Sequence, residues 1–169
     1  MKVTRRQILA AMAAIPLVSG LSAGAVGLRW YNRAPGATLL VLADDEYAFI
    51  QALAETWMPA GGAPSLSGAE ADLGRFADDL ISSMASMQQT LIKLLLQVLD
   101  DATLPTHFAS FKSLEIAERE IVLRGWLNAD QPEVRTAVST MLLLLGEGWG
   151  THPKVVEHMR NEYPCGYGR

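Results

Sequence analysis

Cysteine is nearly absent. Cys165 is the single one in 169 residues, so no disulfide closes within the chain and the fold rests on packing. A covalently attached c-type haem needs two cysteines and a histidine close together, and it is excluded on the same ground. Histidine is scarce too, with His107, His152 and His158 as the full set. No glutamate has a histidine three residues later, which excludes the Glu-x-x-His pairs of a di-iron helical bundle. His152 and His158 lie six apart across Pro153, not at the spacing of four that puts two ligands on one helix face. His152 reads as a loop or cap residue before Pro153, and His158, beside Glu157, as a surface or interface residue. Basic residues form no cluster or stripe after residue 33, which sets nucleic acid aside as a partner. No glycine-rich nucleotide loop follows a strand, and Gly146-x-Gly148-x-Gly150 falls where a helix should stop. The adjacent acids Asp78-Asp79 and Asp100-Asp101 point in different directions from their helices and read as solvated faces. No catalytic, cofactor-binding or metal-ligating set emerges from these residues.

What the chain does have begins at its N-terminus. Lys2, Arg5 and Arg6 precede an uncharged run over 8–28, with a small-residue site at Ala23-Gly24-Ala25, which together make an export signal. The run has 21 residues, about 30 Å as a helix, enough to cross a bilayer core. Two outcomes stay open. Ala-x-Ala argues for cleavage after Ala25, whereas Arg29, Trp30, Tyr31 and Arg33 resemble the aromatic and basic residues of a membrane interface and would suit a retained anchor. Cleavage would leave 144 of the 169 residues, and loss of Lys2, Arg5 and Arg6 would leave 11 basic residues against 18 acidic ones. That length folds as one acidic domain with one core. The chain therefore divides into a signal sequence or signal anchor (1–28), a linker with an apolar arm (29–43) and a helical domain (44–169).

Leu39 to Leu42 has no second strand to pair with, so it reads as an arm packing on helices or on another chain. Asp44-Asp45-Glu46 starts a helix to about Met58, with Tyr47, Ile50, Leu53, Ala54 and Trp57 on its apolar face. Pro59, Gly61, Gly62 and Pro64 end it. A second helix after Gly68 carries Leu73, Phe76, Ala77, Leu80 and Ile81 inward and Asp72, Arg75, Asp78 and Asp79 elsewhere. In the leucine-rich stretch 87–99, Leu91, Leu94, Leu95, Val98 and Leu99 form the expected core face, widened by Ile92 and Leu96. It is either the central helix or one covered by a partner. Ser113 is the expected cap of a helix over 114–127 with an apolar row at Leu114, Ala117 and Ile121, its charged residues, Arg119 among them, facing water or a partner. Asp130 is the expected cap of the next helix, with Pro132 in its first turn. A short helix follows Thr151-His152-Pro153. The fold class is all-α, a single small helical domain of five or six helices after an N-terminal signal helix.

Two resemblances add function. Arg5-Arg6-Gln7-Ile8-Leu9 is similar to the twin-arginine (Tat) consensus, which implies export of an already folded protein through the Tat translocon into the periplasm. The mature chain resembles gluconate 2-dehydrogenase subunit 3, carried by the block from Leu42 to Pro59, by the segment from Phe111 to Trp126 with Arg119-Glu120 and Leu123, and by the ending with His152-Pro153 and Cys165-Gly166-Tyr167. That resemblance implies a non-catalytic small subunit without a cofactor of its own. Its partner would be a large FAD-containing subunit of the glucose-methanol-choline type that oxidises a sugar or alcohol, often with a cytochrome c subunit as electron acceptor. The small subunit would stabilise the flavoprotein and escort it through the Tat pathway. The other class of reading is a free-standing exported helical binding protein. As an odd cysteine in an exported chain, Cys165 is a candidate for an interchain disulfide, with a free thiol as the equal alternative.

Overall fold

Three consecutive carboxylates, Asp44, Asp45 and Glu46, lie in the first turn of α1 (Asp44–Trp57), where the free amides and the positive end of the helix dipole favour them. The computed structural model describes residues 33–163. After α1 come α2 (Leu73–Ser82), α3 (Ser86–Asp101), α4 (Ile116–Leu127), α5 (Pro132–Thr151) and α6 (Pro153–Glu162). A helical turn, Leu104–His107, and a 3-10 turn, Phe111–Ser113, connect α3 to α4. Among the described residues there is no strand, and the fold is the all-α one expected.

The central helix is α1, which packs against α2, α3, α4, α5 and the 3-10 turn. Glu46, Phe49, Ile50 and Leu53 follow the i, i+3, i+4, i+7 row of a buried helix face, and all four are buried. Trp57, expected on that face, is 45% exposed instead, and Phe49 takes the central aromatic place. Phe49 meets the ring of Phe111 edge-on with centroids 5.6 Å apart, and Phe111 stacks on Trp126 at 5.0 Å. Such pairs add to the burial of each ring.

Several expectations need correction. On α3 the fully packed leucines are Leu96 and Leu99, while Leu91, Leu94, Leu95 and Val98 are half-buried. The helix is rotated because Gln97 and Asp100, which are buried, need partners on α1 and the 3-10 turn. Ser113 ends the 3-10 turn, and α4 instead starts after Glu115, whose amide is met by the Glu118 carboxylate at 3.4 Å. Its inward residue is Leu123, and Ile121 is 70% exposed. Gln131, one residue later than expected, precedes α5.

The glycines of α5 do not stop it, since the helix runs through Gly146, Gly148 and Gly150 to Thr151. A Cβ on Gly148 would lie 2.5 Å from Cδ1 of Phe76. The missing side chain lets α5 pass close over α2. The break comes at Pro153, and His152 caps α6 as expected, its Nδ1 accepting the Lys154 amide at 3.3 Å.

Candidate functional site

Asp78 was expected on a wet face, yet it shares the row Gly74, Ala77, Asp78 and Ile81 that α2 turns inward, and it is fully buried. An ionised carboxylate there needs donors, and the arm supplies them. Asp78 Oδ2 accepts the amide of Leu40 at 2.7 Å, and Oδ1 accepts those of Val41 at 3.0 Å and Leu42 at 2.9 Å. Burial pushes this carboxyl's pKa up, and the three amides outweigh it, leaving the group below the ordinary aspartate value.

The arm's carbonyls are held from the other side. Lys93 Nζ donates to Val41 O at 2.7 Å and to Arg33 O at 3.4 Å, and it stands 3.5 Å from the buried Glu46 carboxylate. Arg75 donates to Thr38 O, and Arg33 pairs with Asp45 at 2.8 Å. Glu46 accepts the Ala43 amide at 2.8 Å and Gln97 Nε2 at 2.6 Å. Residues 33–43 thus lie on α1, α2 and α3 without joining a sheet, latched mostly through their backbone, with Leu42 fully buried beneath.

Beside the latch a cavity of about 250 Å³ is lined by Pro35, Val41, Ser86, Gln89, Thr90, Lys93 and Leu94. It is smaller than a usual small-molecule site, and its one ammonium is already engaged with Val41 and Glu46. Gln97 lines a second space of about 10 Å³, room for about one water. Among the described residues its Oε1 is buried without a hydrogen-bond partner.

Two further polar clusters hold elements together. Asp100, also expected to face water, is buried and accepts both the amide of Lys112, at 3.0 Å, and its ammonium. Arg119, expected on the wet side of α4, is half-buried and donates to Ala52 O at 3.1 Å, Leu114 O at 2.9 Å and Glu55 at 2.9 Å. Burial, and then the hydrogen bond to Asp72 at 2.7 Å, raise the pKa of Tyr47. The amide and then the hydroxyl of Ser67 hold Glu70 below the ordinary glutamate value.

Arg5, Arg6, Ile8, Leu9 and Cys165 lie outside the described residues. Among the described residues no three His, Cys, Asp or Glu side chains converge to hold a metal, and no helix is long and apolar enough to cross a membrane. His107 is exposed against the Thr106 hydroxyl, and His158 is half-buried on α6.

The block 42–59 and the segment 111–126 meet in the core through Phe49, Phe111 and Trp126, with Arg119 bridging them. A family model described as gluconate 2-dehydrogenase subunit 3 matches residues 44–164. The chain belongs to that family. No curated protein and no solved structure matches it. As a subunit 3 it is an accessory member of a multi-subunit dehydrogenase. Of the residues that carry the family likeness, Phe49, Phe111, Trp126 and Arg119 serve packing: they set α1 against α4 and the 3-10 turn.

Proposed function

We propose that this chain is a non-catalytic small subunit of a periplasmic or membrane-associated, FAD-dependent sugar or alcohol dehydrogenase. In this reading it stabilises a large flavoprotein of the glucose-methanol-choline type and escorts it, folded, through the Tat pathway. The observation that carries the reading is the family match over 44–164. The arginine pair with Gln7, Ile8 and Leu9 supports the export half. The charges inside the fold support the accessory half, because the buried Asp78, Glu46 and Asp100 and the half-buried Lys93 and Lys112 are each consumed in fastening one element to another.

Escort follows from linkage: a flavoprotein without its own signal crosses only while bound to a chain that has one. The guanidinium fork is what lysine cannot reproduce. Replacing Arg5 and Arg6 with lysine keeps the charge, and the expected outcome is a flavoprotein retained in the cytoplasm with its flavin spectrum intact. A flavoprotein that reaches the periplasm normally beside the double-lysine variant removes the escort role.

A further inference from the structure

The turn between α3 and the 3-10 turn carries an unusual side chain. Phe108 has φ of +56° and is 90% exposed. Left-handed backbone is costly for a residue with a Cβ and is ordinarily given to glycine or asparagine. An exposed phenyl ring gains nothing from the chain's own core. The amide of Phe108 closes the helical turn on Leu104 O, while its ring, among the described residues, stays outside the core.

The surroundings have the composition of an interface centre. Leu104, Pro105, Thr106, His107 and Phe108 are five consecutive exposed residues. No Asp, Glu, Lys or Arg occurs from Ala102 to Phe111. Depletion of charge with an aromatic at the middle marks the core of protein interfaces.

The platform beneath is fixed. Thr103 is buried and its hydroxyl donates to Ala109 O at 2.6 Å, closing the turn at its base. Asp100 ties the last turn of α3 to Lys112 just beyond. Phe108 is therefore presented by a pre-shaped loop, which lowers the ordering cost of binding.

We propose that Phe108, flanked by Leu104 and Pro105, is the anchor by which this chain docks into an apolar pocket on the flavoprotein subunit. This rests on the accessory-subunit reading. A protein pocket is favoured over a lipid surface by charge: all 18 acidic residues of the chain fall in 33–163, against 9 of the 14 basic ones, and no Lys or Arg stands in the uncharged stretch to meet anionic headgroups.

Phe108→Gly separates a docking role from a structural one, because glycine accepts the left-handed backbone. Tagged full-length wild type and variant are purified from the native host, and the bound flavoprotein is followed by its flavin absorbance. A photo-crosslinking phenylalanine analogue at position 108 is tested in parallel. Supporting results are a variant that melts no lower than wild type, retains flavoprotein at least about tenfold more weakly, and a crosslink from position 108 to the flavoprotein. Wild-type retention by Phe108→Gly, or a lowered melting temperature, overturns the proposal. So does wild-type, but not variant, flotation with phosphatidylethanolamine–phosphatidylglycerol vesicles while flavoprotein retention is unchanged. If wild type itself carries no flavoprotein, the accessory reading falls first and this inference with it; if wild type carries it and position 108 is indifferent, only the anchor falls.

Discussion

Asp78 shows what one carboxylate does when it is buried against backbone. Its two oxygens take three consecutive arm amides, so it fastens a segment without depending on that segment's side chains. Hydrogen bonds to an ionised group are worth about 1.5–3 kcal/mol in net stability, and Asp78→Asn, which keeps the shape and loses the charge, should cost roughly 2 kcal/mol at pH 7. The pH dependence has a definite sign. A folded pKa below the unfolded value means that the contribution is complete above the unfolded value, near pH 4, and is lost as pH falls through the lower folded value. Urea midpoints of wild type and Asp78→Asn should therefore differ at pH 7, begin to approach each other below about pH 4 and meet only below the lower folded value. A gap that persists unchanged at the acid end would mean that the stabilisation is not carried by the charge. Neither Asp78 nor Asp100 was legible as a buried residue, because an acid beside another acid on a helix has the signature of a solvated face. Placing Asp78 on the row with Gly74, Ala77 and Ile81 is the signal that could have found it.

At the scale of the element, the glycines of α5 and α4 look alike in sequence and do different things. Gly148 sits under the Phe76 ring, whereas a Cβ on Gly125 would meet nothing within 4 Å. Gly148→Ala should destabilise by about 1–3 kcal/mol through overpacking. Gly125→Ala should stabilise by about 0.5–1 kcal/mol, as removal of a glycine from an exposed helix interior does. Thermal unfolding of the two variants, measured side by side, tests the pair, and equal effects would show that the contact between α5 and α2 does not demand the glycine. Helix existence was readable for all six elements from capping acids, prolines and apolar spacing. Helix rotation was not: in the leucine-rich α3 any of several faces could be buried, and the choice was made by Gln97 and Asp100 needing Glu46 and Lys112.

For the whole molecule, the arm decides where the folded unit begins. The family match starts at residue 44, yet Leu42 and Ala43 are buried and Asp78, Lys93 and Arg75 all reach back to residues 33–42. A chain beginning at Asp44 leaves the Asp78 carboxylate without its three amides and opens a leucine-sized hollow above α1. Such a chain should be less stable than one beginning at Arg33 by several kcal/mol, summing a lost core leucine of about 2–5 kcal/mol and the orphaned carboxylate. Calorimetric melting of the two chains measures it, and indistinguishable transitions would show the latch to be idle.

Local chemistry was enough for the sequence to determine the all-α class, the order of the helices, the cap at His152 and the family likeness, since acids at helix starts, prolines in first turns and three-to-four-residue spacing act within a few residues of one another. The tertiary structure alone decided which carboxylates go inside, which leucines of α3 reach the core, that Gly148 is a contact and not a stop, and that Phe108 stands outward on a fixed turn. Each of these depends on a partner between 12 and 72 residues away or on the lack of one, and free energies of that kind arise only when distant elements have been brought into contact.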